Sequence, residues 1–527
     1  MSICDSFSDS WELPLNLSGN RNVLYTISLG STACLLLQVS HQVPINPSCR
    51  PPSSFEHDGQ HPGEGESGVY KQPPTSNTQI NPSISNTSQS HVSSNLQETC
   101  IGPMASISEI ISSHRPDLEK DYVPLYKHFH ANPKLSHQEK ETAAKIASIL
   151  KSTCPDLDLH TSIGGHGLAG VLSNGAGPTI LLRADIDGLP VLEKTELQWA
   201  STKKQIDLNG VEKPVMHACG HDIHITSLLA ATCLLYGSRE TWSGTLISLF
   251  QPAEEKGQGA EAMVKDGLYD KIPIPDVVLG GHVMPQAAGT LGTKRGLMAS
   301  SADSLEVTLF GKGGHASQPH MLVDPVVMAA STVMRLQTIV SREVDPADNA
   351  VVTCACIIAG DAENVVADNA TLKLDLRAVN AATREKVLSS VKRIVTAESM
   401  ASGAVKDPEF VTTRNFPFTV NDEDVTEKLE KTFTAHFGTE DGKYTTTSAK
   451  LGGSEDFGIL ATAIEKPSCF WTYGGTDPAL LEKAAAEGRP GDVPINHSAY
   501  FAPVIMPTLQ VAVDAYAVAA LTWLLKK

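Results

Sequence analysis

The chain has 527 residues, with 41 Lys plus Arg against 59 Asp plus Glu, a net charge of −18 at pH 7. At 41% hydrophobic and 19% charged residues it has the composition of a water-soluble globular protein, long enough for about three domains. That charge argues against a nucleic-acid footprint or a hold on anionic membranes, and ten cysteines over this length make no disulfide scaffold.

Residues 1–103 read differently from the rest. Pro51 to Ser94 is rich in Ser, Asn, Gln, Pro and Gly and nearly lacks large apolar residues, so it cannot bury enough surface to offset its ordering entropy. The mildly apolar run Val23–Val39 follows Asp5, Asp9 and Glu12, where a signal peptide carries basic residues. A disordered low-complexity extension and a cytoplasmic location are therefore predicted, with Met104 as a candidate initiator. No run reaches the roughly 18–20 apolar residues of a membrane span. The nearest, Leu509–Leu525, contains Gln510, Asp514 and Thr522 and predicts a packed C-terminal helix.

From Asp121 to Leu150 the spacing of Leu125, Phe129, Ile146 and Leu150 predicts helix, broken by Pro133. Strands then alternate with helices. Strands are predicted at Leu168–Leu172, Thr179–Asp187, Thr245–Gln251 and Val277–His282, and helices at Thr226–Tyr236 and Gly259–Asp266. Continuous apolar strands separated by helices predict an α/β domain with a mostly parallel sheet flanked by helices. Ligands then sit beyond the carboxyl ends of strands. A second pattern begins near Ala299. Strand Ser304–Phe310, helix Asp324–Val340, strands Val351–Ile358 and Thr371–Ala378, helix Thr383–Ser399 and strand Glu409–Thr413 follow the ferredoxin-like β-α-β-β-α-β order. The alternation resumes after Pro417, so the smaller unit reads as an insertion. The expected partition is 1–103 extension, 104–298 first part of the large domain, 299–413 inserted domain, and 414–527 second part.

Polar residues cluster at the predicted strand ends. Met216-His217-Ala218-Cys219-Gly220-His221-Asp222-Ile223-His224 packs thiol, imidazole and carboxylate groups ahead of a helix, the preferred donors of zinc-like cations. In an extended turn the alternate positions Cys219 and His221 would face one ion; a redox or buried thiol is the other reading. Glu254 and Glu255 end an apolar strand and suit a metal ligand beside a general base, or a solvated acidic turn. Read singly, His282 and His497 fit a structural role as well as a ligand. Gly311-Lys312-Gly313-Gly314-His315 lacks the Gly-Lys-Ser/Thr ending of a nucleotide loop and better presents His315 to a substrate.

Together, Arg183-Ala184-Asp185-Ile186-Asp187-Gly188-Leu189-Pro190, His217-Ala218-Cys219-Gly220-His221-Asp222, Pro252-Ala253-Glu254-Glu255, Gly313-Gly314-His315 and Gly453-Ser454-Glu455-Asp456-Phe457 stand in an order that resembles the aminoacylase–carboxypeptidase superfamily of metallo-amidohydrolases. The nearest branch is that of hippurate hydrolase and the indole-acetyl-amino-acid hydrolases, over roughly residues 104–527. The resemblance implies a two-metal, aminopeptidase-like catalytic domain with an inserted lid that mediates homodimerisation. It implies a hydrolase acting on C–N amide bonds of N-acyl amino acids, a small-molecule substrate class. The metal ligands it implies are Cys219, His221, Glu255, His282 and His497, holding two divalent ions; zinc or manganese fits, and cobalt or nickel is compatible. Glu254 would be the general base, and His315, from the partner's lid, would meet the developing oxyanion. Asn364 and Arg377 would hold the substrate. The sequence departs from many relatives at Asn364-Val365-Val366-Ala367, where a proline is missing, and at Asp185, where the wider superfamily has histidine. A dipeptidase or carboxypeptidase of the same superfamily and a conjugate-binding dimer without activity are the alternatives.

Overall fold

The computed structural model describes residues 105–526. The predicted disordered segment, the Val23–Val39 run and Met104 lie outside the described residues.

Three helices open the fold: α1 (Ile107–His114), α2 (Val123–Ala131) and α3 (Lys140–Thr153). Pro133 lies in the break between α2 and α3, as expected. Strands β1 (Asp158–Ile163), β2 (Gly167–Asn174) and β3 (Thr179–Asp185) lead to α4 (His221–Gly237), β4 (Gly244–Gln251), α5 (Gly259–Lys265) and β5 (Val277–Ala287). The smaller sheet follows, with β6 (Ser301–Phe310), α6 (Pro325–Thr338), β7 (Ala350–Ile358), β8 (Asn369–Ala378), α7 (Ala381–Ala401) and β9 (Lys406–Phe416). The chain then adds α8 (Glu423–Phe437), β10 (Ser468–Thr476) and α9 (Ile505–Leu524).

The large sheet runs β1-β2-β4-β3-β5-β10, closed by the short strands Leu291–Gly292 and Tyr444–Thr445. Its centre is parallel: β3 pairs in parallel with β4 and β5, and β5 with β10. Every residue of β10, and all of β3 but Thr179, is buried, as a sheet covered on both faces requires. α4 and α9 are apolar nearly all round and lie in the main core with Trp242, Trp471 and Tyr516. Among the described residues, α9 alone is long and apolar enough to cross a membrane. Its most apolar window is 72% buried inside the protein. Its Asp514 is paired with Arg115 at 2.7 Å.

The smaller sheet is antiparallel in the order β7-β8-β6-β9, the ferredoxin-like arrangement that the element order predicted. It has its own core, in which Leu305, Leu374 and Leu376 meet Met328 of α6 and Val391 of α7. The other face of this sheet carries the charged residues Glu306, Lys373, Asp375, Arg377 and Arg414 beside Ala302, Val351 and Phe416.

Candidate metal centre

The candidate residues converge at the carboxyl ends of β3, β4 and β5 and at the amino end of α4, where an open α/β sheet places its ligands. The sequence expectation of an extended turn at Cys219 and His221 needs correction. His221 is the first residue of α4, and Gly220 turns the chain with φ of 83°. Only glycine serves there: the conformation is left-handed, and a Cβ would collide with Val283. Two further turns hold non-glycine residues at positive φ, Ala253 at 49° and His497 at 71°. Such strain costs about 1–3 kcal/mol each and persists where surrounding structure enforces it. His497 N–H donates to Ala218 O at 2.8 Å, which ties the last segment to the Cys219 turn.

Side-chain geometry closes a cage. Cys219 Sγ lies 3.5 Å from His282 Nε2. Glu255 faces His221 Nε2 at 3.8 Å through Oε1 and His497 Nε2 at 3.4 Å through Oε2. Glu254 Oε2 is 4.0 Å from His221 Nε2. Backbone carbonyls set both buried rings: His221 Nδ1 donates to Asp187 O at 3.0 Å, and His282 Nδ1 to Val283 O at 2.7 Å. Each Nε2 is thereby turned toward the cage, the orientation that metal-binding histidines adopt. His221 Nε2 and Glu255 Oε1 are buried with no hydrogen-bond partner. His224 is near by but is spoken for: Val283 N–H donates to its Nε2 at 3.0 Å, so its Nδ1 donates to Asp185 Oδ1 at 2.5 Å.

The electrostatics point the same way. Burial, then the charges of Glu455, Glu255 and Asp456, push Glu254 well above the carboxylate range. Burial pushes Glu255 up to about 8. Burial and then Glu255 and Glu254 raise the Cys219 thiol well above its usual value. Partial burial and the positive charges of His221, Arg414 and Arg377 lower His497 to about 4. Against burial, Asp185, Asp187 and Glu255 raise His221 to about 10, so the acids crowd a positive charge into the cage, a place that a divalent cation takes by favouring the deprotonated donors. The donor set, thiolate, imidazole and carboxylate with two unpartnered buried atoms, fits such ions.

Residues 181–487 match the peptidase family M20/M25/M40. The hippurate hydrolase of Campylobacter jejuni is 35% identical over 361 residues, 68% of this chain and 88% of that protein. The IAA-amino acid hydrolase ILR1-like 5 of Arabidopsis thaliana is 34% identical over 310 residues, 58% of this chain and 68% of that protein. The chain belongs to peptidase family M20/M25/M40. Among solved structures, the YXEP protein of Bacillus subtilis, described as a dinuclear metal-binding peptidase of family M20, superposes with a TM-score of 0.57. It is 26% identical, and the match covers 76% of this chain and 96% of that one.

The other sequence candidates of this M20 chain lie on the smaller sheet and its ribbon. His315 is exposed, and its Nδ1 accepts from Ser317 N at 3.1 Å and contacts Ser317 Oγ at 2.8 Å. Ala316 N–H donates to Asn364 O at 3.1 Å, beside the two-stranded pairing of His315 with Val365. No hydrogen bond or ion pair among the described residues joins His315 or Asn364 to the cage. Arg377 donates from Nη1 to Gly452 O at 3.3 Å.

The sequence candidates leave out the supports, although Arg183 and Asp187 stand in one motif of the resemblance, where Asp187 suits orienting the centre. Asp187 accepts from Ser136 Oγ at 2.7 Å and from Glu255 N–H at 3.1 Å, in addition to fixing His221. Arg183 is fully buried and holds Asp185 at 2.7 Å, Glu455 at 2.9 Å and Asp456 at 3.4 Å. Asn496 Nδ2 bridges Cys219 O at 3.3 Å and Val283 O at 3.2 Å. Their signal was the motif itself for Arg183 and Asp187, and adjacency to His497 for Asn496.

Proposed function

We propose that the chain hydrolyses the amide bond of N-acyl amino acids and related amino-acid conjugates with two divalent ions. The reading rests on one observation: the buried, unpartnered His221 Nε2 and Glu255 Oε1 face each other beside the Cys219–His282 contact. Cys219, His221, Glu255, His282 and His497 are the proposed ligands. Zinc or manganese suits this mixed set. Bound there, such ions polarise a carbonyl and acidify water.

The chain's own groups do the rest. Glu254, buried and crowded by Glu455 and Glu255, is strongly basic and takes a proton from the attacking water. The same carboxyl returns that proton to the leaving nitrogen as the carbon–nitrogen bond breaks. His315, supplied by the partner's lid in a homodimer, donates to the developing oxyanion. The Arg377 fork takes the substrate carboxylate, and Asn364 the acyl oxygen. In this reading residues 104–298 and 414–527 are the catalytic domain and 299–413 the lid. The free Cys219 thiol suits a reducing compartment such as the cytoplasm.

The test is a panel of acetyl, benzoyl and indole-acetyl amino acids with metal-stripped and reconstituted protein. Turnover should appear on reconstitution. Glu254→Gln should keep the metal and lose about 100-fold or more of kcat. Full activity in that variant excludes Glu254 as the base.

A further inference from the structure

Strand pairing puts a second cluster on the open face of the smaller sheet. Asp375 of β8 pairs with Ser304 of β6, and Ser304 with Arg414 of β9. One row along, Arg377 pairs with Ala302, and Ala302 with Phe416. Paired residues point to one side of a sheet, as do residues two apart on a strand, so these six side chains share a face.

The contacts are specific. Arg377 Nε donates to Asp375 Oδ1 at 3.0 Å. Arg414 Nη2 donates to Asp375 Oδ2 at 3.2 Å, and Arg414 Nε to Ser304 Oγ at 3.1 Å. Two guanidinium groups therefore share one carboxylate and leave a positive charge over. Arg377 Nη2 and Arg414 Nη1 have no hydrogen-bond partner among the described residues. Their side chains are 33% and 41% exposed, open to a solute. In the next row Lys373 and Glu306 neutralise each other at 3.2 Å.

This face also abuts the candidate centre. A Cβ on Gly257 would stand 3.0 Å from the Phe416 ring. Gly257 closes the Glu254–Lys256 turn by donating to Glu254 O at 2.6 Å. Arg377 reaches Gly452, three residues before Glu455, whose carboxylate groups with that of Glu254.

One fork is enough for the single carboxylate of a neutral amino acid. We propose that Arg414 is a second carboxylate anchor, and that the preferred substrates are conjugates whose amino-acid part carries two carboxylates, as aspartate and glutamate do. The proposal rests on the amide-hydrolase reading above. Arg377 takes one carboxylate and Arg414 the other, while Asp375 fixes the orientation of the two forks. A conjugate lacking the second carboxylate leaves the Arg414 Nη1 donor without a partner as the substrate covers it, which is how a polar site rejects such analogues.

The test compares N-acetyl-glutamate and N-acetyl-aspartate with N-acetyl-alanine and N-acetyl-leucine on the metal-loaded enzyme. The dicarboxylic conjugates should be favoured by about tenfold or more in kcat/KM. Arg414→Gln should bring that ratio toward one, mainly through KM, and Arg414→Lys should restore part of it. Arg393→Gln, on α7 and paired with Glu343, should keep it. A preference for the neutral conjugates, or an Arg414→Gln variant that lowers both classes equally, overturns the proposal. If no conjugate is cut, the amide-hydrolase reading fails instead, and calorimetric titration with N-acetyl-glutamate and N-acetyl-alanine decides. Tighter glutamate binding that Arg414→Gln abolishes supports the anchor, and equal binding of the two overturns it.

Discussion

At the ends of β3, β4 and β5 most polar side chains are buried, and backbone groups or opposite charges hold them in place. On the open face of the smaller sheet the charged side chains stay partly in water and hold mainly one another. The difference is one of consequence. A buried charge that loses its partner keeps the full cost of desolvation, whereas an exposed one recovers its water. The cage should therefore break on single substitutions, and the sheet face should merely be tuned by them.

Arg183 is the sharpest way to break that contrast. It compensates Asp185, Glu455 and Asp456 without access to solvent. Arg183→Met leaves these carboxylates buried without their cation and should cost about 3–5 kcal/mol, read from urea unfolding. A loss under about 1 kcal/mol would show that the interior is wetter than its geometry implies. Chelation should come next. Ions held only by the folded cage stabilise it by about 2.7 kcal/mol at a hundredfold excess over Kd. The Tm should fall on stripping and return with zinc or manganese; an unchanged Tm would mean that the cage holds no ion.

The same contrast governs what the sequence made legible. The predicted strands reappear, most of them extended by a few residues and Thr179–Asp187 ending two residues early at Asp185, because apolar runs such as Val277 to Leu279 must be buried whatever else happens. Cys219 and His221 were legible because they stand close together in sequence, whereas His282, inside β5, and His497 became candidates only through the family resemblance. What was not legible depends on register. Nothing in the sequence says that Arg414 lies across Ser304 from Asp375, since the three sit on different strands and a one-residue slip would turn Arg414 to the core. Arg183 was part of a recognised motif, yet its pairing with Glu455 spans 272 residues and appears only on folding.

His130 sharpens the comparison by pH. It is buried between Asp222 at 2.6 Å and Glu193 at 2.9 Å. Burial alone would lower its pKa, but these carboxylates carry it from 6.5 up to about 10. The folded value lies above the unfolded one, so this stabilisation is complete below about pH 6.5 and fades as the pH climbs through about 10. The Tm advantage of the native protein over His130→Phe should therefore shrink between pH 8 and about 10.5, by the equivalent of about 2 kcal/mol. A gap that holds or widens with pH would mean that the network gains nothing from the charged ring.

The smallest effect belongs to the outer helix of the smaller sheet. Arg393 holds Glu343 at 2.6 Å but is 59% exposed, so water and salt screen the pair. Arg393→Ala should cost no more than about 0.5 kcal/mol, and less in 0.5 M salt. A cost approaching that of Arg183→Met would erase the distinction, because it would mean that a charge pair open to solvent is worth as much as one sealed beside the cage.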